Sequence, residues 1–179
     1  MATTAPTTTE KRAATNLGQQ YLDTFDREHA TTMRLLRAYP TDKLELRPHG
    51  KCKTARDLAW MFVMEQGLAE KALTTGLDWS TPPPPQPPAP ASMDAILTAL
   101  DDGHKRVANI VQRMDDDQFH ETIKFFTAPK TIGDVPKIDL LWMVLHDQIH
   151  HRGQFSIYLR MADGKVPSIY GPTADEPWM

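Results

Sequence analysis

The 179 residues, 40% of them hydrophobic, supply enough apolar mass for one domain with a core and too little for two. The 20 basic and 23 acidic side chains leave a net charge of -3 with no long basic block, which excludes a surface built to track a phosphate backbone, so no nucleic-acid partner is expected. Cys52 is the single cysteine, so an intrachain disulfide and a thiolate-rich zinc site are both excluded, and any metal must be held by nitrogen and oxygen ligands.

The chain starts with a polar run, Met1 to Thr9, that lacks the apolar centre of a signal peptide. No later stretch has the length of uncharged residues that a membrane span needs. The expectation is a cytoplasmic protein with no membrane partner, a flexible start over residues 1–15 and one domain over 16–179. From about Asn16 to Ala38, Leu22, Phe25, Met33 and Leu36 return at helical intervals with His29 beside them, and Tyr39-Pro40 stops the helix. Arg47-Pro48-His49-Gly50 reads as an ordered loop. Thr54, with Asp57 three residues on, opens a second helix that reaches Thr75 before Gly76. Its inward face carries Leu58, Met61, Leu68 and Ala72, and Glu65 falls on that face.

The run from Pro82 to Pro90 is short of amide donors and favours an extended conformation, so it reads as a stiff crossover between the second and third helices. Ser92 caps the third helix, whose inward side is Ile96, Leu100, Val107 and Val111. It is expected to reach Met114 and end at Asp115-Asp-Asp117. Phe119 to Lys137 reads as a loop packed by Phe125 and Phe126, and a fourth helix runs from about Pro136 to Ala162. Asp163-Gly164 ends it, with the glycine expected in the left-handed conformation, and the remainder forms an extended tail. The fold class is all-α, a four-helix bundle.

Candidate chemistry lies on the fourth helix, Leu145-His-Asp-Gln-Ile-His-His-Arg-Gly-Gln154. His146 with His150, and Asp147 with His151, are two pairs one turn apart. Leu140, Val144, Asp147, His151, Phe155, Tyr158 and Ala162 follow spacings of three and four, so Asp147 and His151 are expected to point inward and His146 and His150 to lie on the surface. A carboxylate and an imidazole facing a bundle interior need a partner. A divalent ion is one: Glu65, Asp147 and His151 make a three-ligand set whose two carboxylates balance the charge of zinc, nickel, manganese or iron. The other is a metal-free network in which Asp147 bonds His151 while Glu65 reaches Arg56, Lys71 or solvent. Arg152 reads as an anchor for a neighbouring loop or the tail.

The run Asp147 to Gln154, followed by Tyr158-Leu-Arg160 and Val166-Pro-Ser-Ile-Tyr-Gly-Pro172, resembles the last helix and tail of DinB/YfiT-like proteins, and Thr54 to Trp60 is similar to the start of that family's second helix. The resemblance implies a bundle, often dimeric, that binds a divalent metal through one histidine of helix 2 and a His-x3-His pair on the last helix. His151 matches the last of these. Asp147 stands where the first of the pair is expected, and helix 2 offers Trp60, Met61 and then Glu65. The resemblance further implies a metal-dependent transferase acting on a small thiol, or a related hydrolase or isomerase. The alternative is a non-catalytic dimeric metal-binding or structural stress-response bundle, with Trp142, Ile149 and Ile157 as its subunit contact.

Overall fold

The computed structural model describes residues 16–82 and 85–179; the start expected to be flexible, residues 1–15, and part of the proline run lie outside them. Helix α1, Leu17–Arg37, is capped by Asn16, whose side chain accepts from the Gln19 amide, and α2, Ala55–Thr74, by Thr54, which accepts from the Asp57 amide. Both fall within a residue or so of the sequence expectation. Residues 85–90 take neither helix nor strand, and Trp60 Nε1 donates to the Pro87 carbonyl at 3.2 Å, which ties the proline segment to α2. Helix α3, Met93–Val111, starts at the Ser92 cap.

Three expectations fail after that point. The third helix stops at Val111, and Asp115 starts a helix instead of ending one: it closes a capping box with Gln118 at the head of the short α4, Asp116–His120. The expected aromatic loop is an antiparallel hairpin, β1 Thr122–Ala128 and β2 Thr131–Pro136, so the chain is mostly helical and not all-α. Its turn is made by Pro129 and Lys130, with Lys130 at a left-handed φ of 62°. The last helix is therefore α5, Lys137–Met161. At its end Asp163, not Gly164, takes the left-handed conformation. Gly164 is needed for closeness: a Cβ there would sit 2.1 Å from Leu159 Cδ1.

Helix α2 packs against α3 and α5, and α1 packs against the same two. Two apolar clusters result. One gathers Leu36, Leu58, Phe62, Ile96, Phe155 and Leu159; the other gathers Tyr21, Phe25, Val107, Leu141 and Leu145. Where one gives way to the other along each helix, the buried residues turn polar: Glu28 and Thr32 on α1, Glu65 and Gln66 on α2, His104 on α3, Gln148 and Arg152 on α5. Sites of this kind are built from such interior polar side chains on facing helices.

The α2–α3 contact in this layer is tight. Gly103 lies against Gln66, which is 1% exposed, and a Cβ at Gly103 would come within 2.5 Å of Gln66 Oε1. Gly103→Val should destabilise the protein by about 1–3 kcal/mol through overpacking, despite the better helix propensity of valine. Denaturant melts check this, and an unchanged midpoint would show that Gln66 moves aside freely.

Candidate metal centre

Glu65 projects from the middle of α2, and Asp147 and His151 from one side of α5, one turn apart. One ligand atom from each of the three lies within 4.8 Å of the others, and His151 Nδ1 is 2.6 Å from Glu65 Oε1. This contact is close, but it is not aligned as a hydrogen bond. Both Glu65 carboxylate oxygens and His151 Nδ1 are buried atoms without a hydrogen-bond partner. Burial raises the Glu65 pKa; His151 pulls it down and the Asp147 charge pushes it up, with a net rise. The Glu65 contact raises the His151 pKa against the opposing effect of burial, and the charges of Glu65 and Asp147 add to the rise.

Glu65 is buried, His151 is intermediate, and Asp147 is exposed, so the inward placement expected for Asp147 is corrected. Its carboxylate faces a cleft. The single-stripe reading failed because α5 is buried on more than one side: Leu141, Leu145, Gln148 and Arg152 are interior, alongside Leu140, Val144 and Phe155. His146 and His150 are exposed as expected, and His150 Nε2 lies 2.8 Å from Gln154 Nε2. Of the apolar line read as a subunit contact, Trp142 packs edge-on against Tyr21 and Ile149 is half-buried, while Ile157 is 58% exposed.

The three residues stand between two clefts. One, of about 520 Å³, is lined by Glu65, Asp147, His146 and His150 together with Leu68, Phe125, Met143 and Val144. The other, of about 410 Å³, is lined by His151 with Cys52, Lys53, Leu58, Gln154, Ile157 and Tyr158. The hairpin thus supplies Phe125 to one cleft, and the loop before α2 supplies Cys52 and Lys53 to the other. The sequence reading gave neither role.

Arg152 is an anchor for the tail, as read, but it is a core residue. It is 1% exposed and donates to the Glu28 carbonyl, the Glu28 carboxylate at 2.6 Å, Thr32 Oγ1 and the Tyr170 hydroxyl. Burial pushes the Glu28 carboxyl up, but the hydrogen bonds from Tyr170 and Arg152 and the Arg152 charge outweigh it, and its pKa is lowered. His29 of α1 and His104 of α3 stack on each other with ring centroids 3.9 Å apart.

The fold and site define a mostly helical protein with a carboxylate–imidazole cluster between facing helices. Comparison with known proteins is consistent with this: the DinB family model matches residues 8–178, and the chain belongs to the DinB family. It is 28% identical over 162 residues to the uncharacterized protein YrdA of Bacillus subtilis (strain 168), a match covering 87% of this chain and 89% of that one. Its fold is similar to the crystal structure of a DinB-like protein from Bacillus cereus ATCC 10987, with a TM-score of 0.69 at 22% identity over 85% of this chain and 97% of that one. It is also similar to the DinB-like protein YjoA of Bacillus subtilis, with a TM-score of 0.65 at 15% identity over 89% and 99%. Among the described residues no helix is long and apolar enough to cross a membrane.

Proposed function

We propose that this chain holds a divalent ion between the helices of a four-helix bundle, through Glu65, Asp147 and His151, and uses it on a small-molecule substrate, as a thiol S-transferase or a related hydrolase or isomerase. One observation carries the reading: two carboxylates and an imidazole converge where the buried Glu65 oxygens and His151 Nδ1 have no hydrogen-bond partner. Buried polar atoms left without a hydrogen bond are costly, and a cation is the partner this donor set suits. Zinc, nickel, manganese and iron(II) all accept such ligands, and two carboxylates with a neutral imidazole balance a charge of two.

A bound ion of this kind lowers the pKa of a thiol or water it holds, supplying a nucleophile near neutral pH without a protein cysteine. The rest falls to the chain. Leu68, Phe125, Met143 and Val144 give the Asp147 cleft an apolar wall that receives the carbon skeleton of a substrate and displaces water from it. Gln154 steadies the His150 ring beside His151. Tyr158 does not face substrate through its hydroxyl, which donates to the Lys53 carbonyl at 3.0 Å and so fixes the floor of the second cleft.

Elemental analysis of protein purified without a metal-affinity tag tests the reading. Wild type incubated with zinc, nickel or manganese should retain about one equivalent, as a structural or catalytic site with these ligands does. Glu65→Ala, Asp147→Ala and His151→Ala should each lose most of it. Metal-loaded wild type should then consume a thiol and electrophile pair faster than free metal does. A wild type that takes up no metal ends this proposal and leaves a polar core without chemistry.

A further inference from the structure

The loop between α1 and α2 carries a charge pattern that the metal reading does not use. From Leu46 to Arg56 the chain has Arg47, His49, Lys51, Lys53 and Arg56 and no acidic residue, in a protein whose net charge is -3. Arg56 is taken by Glu45 at 2.8 Å. Arg47, Lys51 and Lys53 make no ion pair among the described residues. An unpaired surface lysine is ordinary, but three cations on one short loop repel each other unless something negative comes between them.

The loop is also built and aimed. The Cys52 amide donates to the His49 carbonyl at 2.9 Å, the Lys51 amide to His49 Nδ1 at 3.1 Å, and the Tyr158 hydroxyl on α5 to the Lys53 carbonyl at 3.0 Å. These bonds set Cys52 and Lys53 on the wall of the 410 Å³ cleft, which His151 also lines. Of the three unpaired cations, Lys53 is the one that lines this cleft, together with His151, Gln154 and Tyr158. The other cleft is lined by the carboxylates Glu65 and Asp147 and by no lysine or arginine, so the two differ in charge: the 410 Å³ cleft has apolar walls at Leu58 and Ile157 with the Lys53 ammonium beside them.

We infer that the cleft lined by Lys53, Gln154, Tyr158 and His151 is a binding site for a small organic anion, its carboxylate or phosphate held at the Lys53 rim and its body directed toward the Glu65–Asp147–His151 cluster. The inference deepens the metal-site reading by naming the charge of a ligand that reaches the cluster from its His151 side, opposite the Asp147 cleft, and it rests on that reading only for the direction in which the ligand points. A compact ammonium beside a partly enclosed cleft forms a charge-assisted hydrogen bond with either anion, and the apolar lining favours an aromatic or aliphatic body. The attraction falls with added salt, because the rim is open to solvent.

Titration calorimetry at low ionic strength, with benzoate, phenyl phosphate and the neutral isostere benzamide, tests this on both chelator-treated and zinc-incubated protein. Lys53→Met should weaken the anion by about tenfold, the equivalent of one lost charge-assisted bond, and leave the melting temperature unchanged. Lys53→Arg should retain most of the affinity, and the tighter of the two anions identifies the headgroup. Equal anion affinity in wild type and Lys53→Met, benzamide binding as tightly as benzoate, or no binding of either anion would overturn the inference. Anion binding that needs zinc and ignores Lys53 would overturn it too, since the ion alone would then hold the ligand. Lys53-dependent binding by a protein that takes up no zinc would support the anion site and defeat the metal reading, so the two fail separately.

Discussion

Arg152→Met should lower the stability of the protein by about 3–5 kcal/mol, the cost typical of stripping one partner from a buried ion pair. The guanidinium is the hub of the polar layer: on α1 it holds the Glu28 carbonyl and carboxylate and Thr32, and in the tail the Tyr170 hydroxyl. Methionine fills much the same volume, so the loss is electrostatic. Glu28, 5% exposed, would keep its charge with only the solvent-exposed Arg27, 3.6 Å away, as a counter-ion, or take up a proton. At roughly 2–4 °C per kcal/mol for a chain of this length, the melting temperature should fall by about 10 °C. The tail should loosen as well, because the Tyr170 hydroxyl bridges Arg152 and the Glu28 carboxylate, and limited proteolysis should cut near residues 166–179 sooner than in wild type. Glu28→Gln combined with Arg152→Met should recover part of the loss, since the stranded charge is gone. A single variant melting within about 2 °C of wild type would show that the network sets geometry without contributing stability.

Arg152 also marks the limit of what the sequence discloses. The helices were legible because their signals are local: Asn16, Thr54 and Ser92 cap the helices that follow them, and Leu22, Phe25, Met33 and Leu36 all prove buried on one face. The site was legible in the same way, through the one-turn spacing of Asp147 and His151 and the placement of Glu65 among apolar neighbours. The partner of Arg152 lies 124 residues away, at Glu28, and no spacing rule reaches that far. The hairpin escaped notice for a different reason. Its turn uses Pro129 and Lys130 in place of glycine or asparagine, and of β1 only Ile123 is buried, so the alternation that marks a strand is faint.

The orientation of Asp147 was misread because a single stripe was assumed for α5. A helix at the centre of a fold buries several sides, and periodicity then separates inward from outward poorly. The consequence is functional: Asp147 is exposed beside a buried Glu65, so the cluster has one ligand in the core and one at the cleft wall. An ion held there would be reachable by substrate, whereas three interior ligands would describe a closed structural site. The cationic loop is a further case. Its three free charges are visible in the sequence, but their relation to His151 depends on Tyr158 pinning Lys53 from 105 residues away.

Acid should weaken the fold through a second buried pair, the stacked imidazoles of His29 and His104. His29 and His104 tie α1 to α3 by a reciprocal exchange: His29 Nε2 meets Asp101 at 3.3 Å, and His104 Nε2 meets Asp26 at 2.9 Å, with the rings stacked between them and Phe25 against His104. Burial pushes His29 down to about 4, the neighbouring His104 adds to this, and Asp101 and Asp26 only partly oppose it. Burial lowers His104 as well, with Asp26 and Asp101 opposing and Lys105 assisting. Because the folded pKa lies below the unfolded one, the unfolded chain takes up protons first; the stabilisation is full above about pH 6.5 and is lost as the pH falls toward 4. His29 contributes about 2 kcal/mol of this, after allowance for its partial exposure to solvent. His151 works in the opposite sense, since its raised pKa favours the fold at lower pH, so the wild-type profile alone blends the two. Comparison with His29→Phe, which preserves the stack on His104, separates them. Between pH 7.5 and 5 the wild type should lose roughly 5 °C more in melting temperature than the variant does. Parallel profiles for the two proteins would mean that the stacked imidazoles take up protons in the fold as readily as in the unfolded chain, and that the clasp between α1 and α3 opens at no cost.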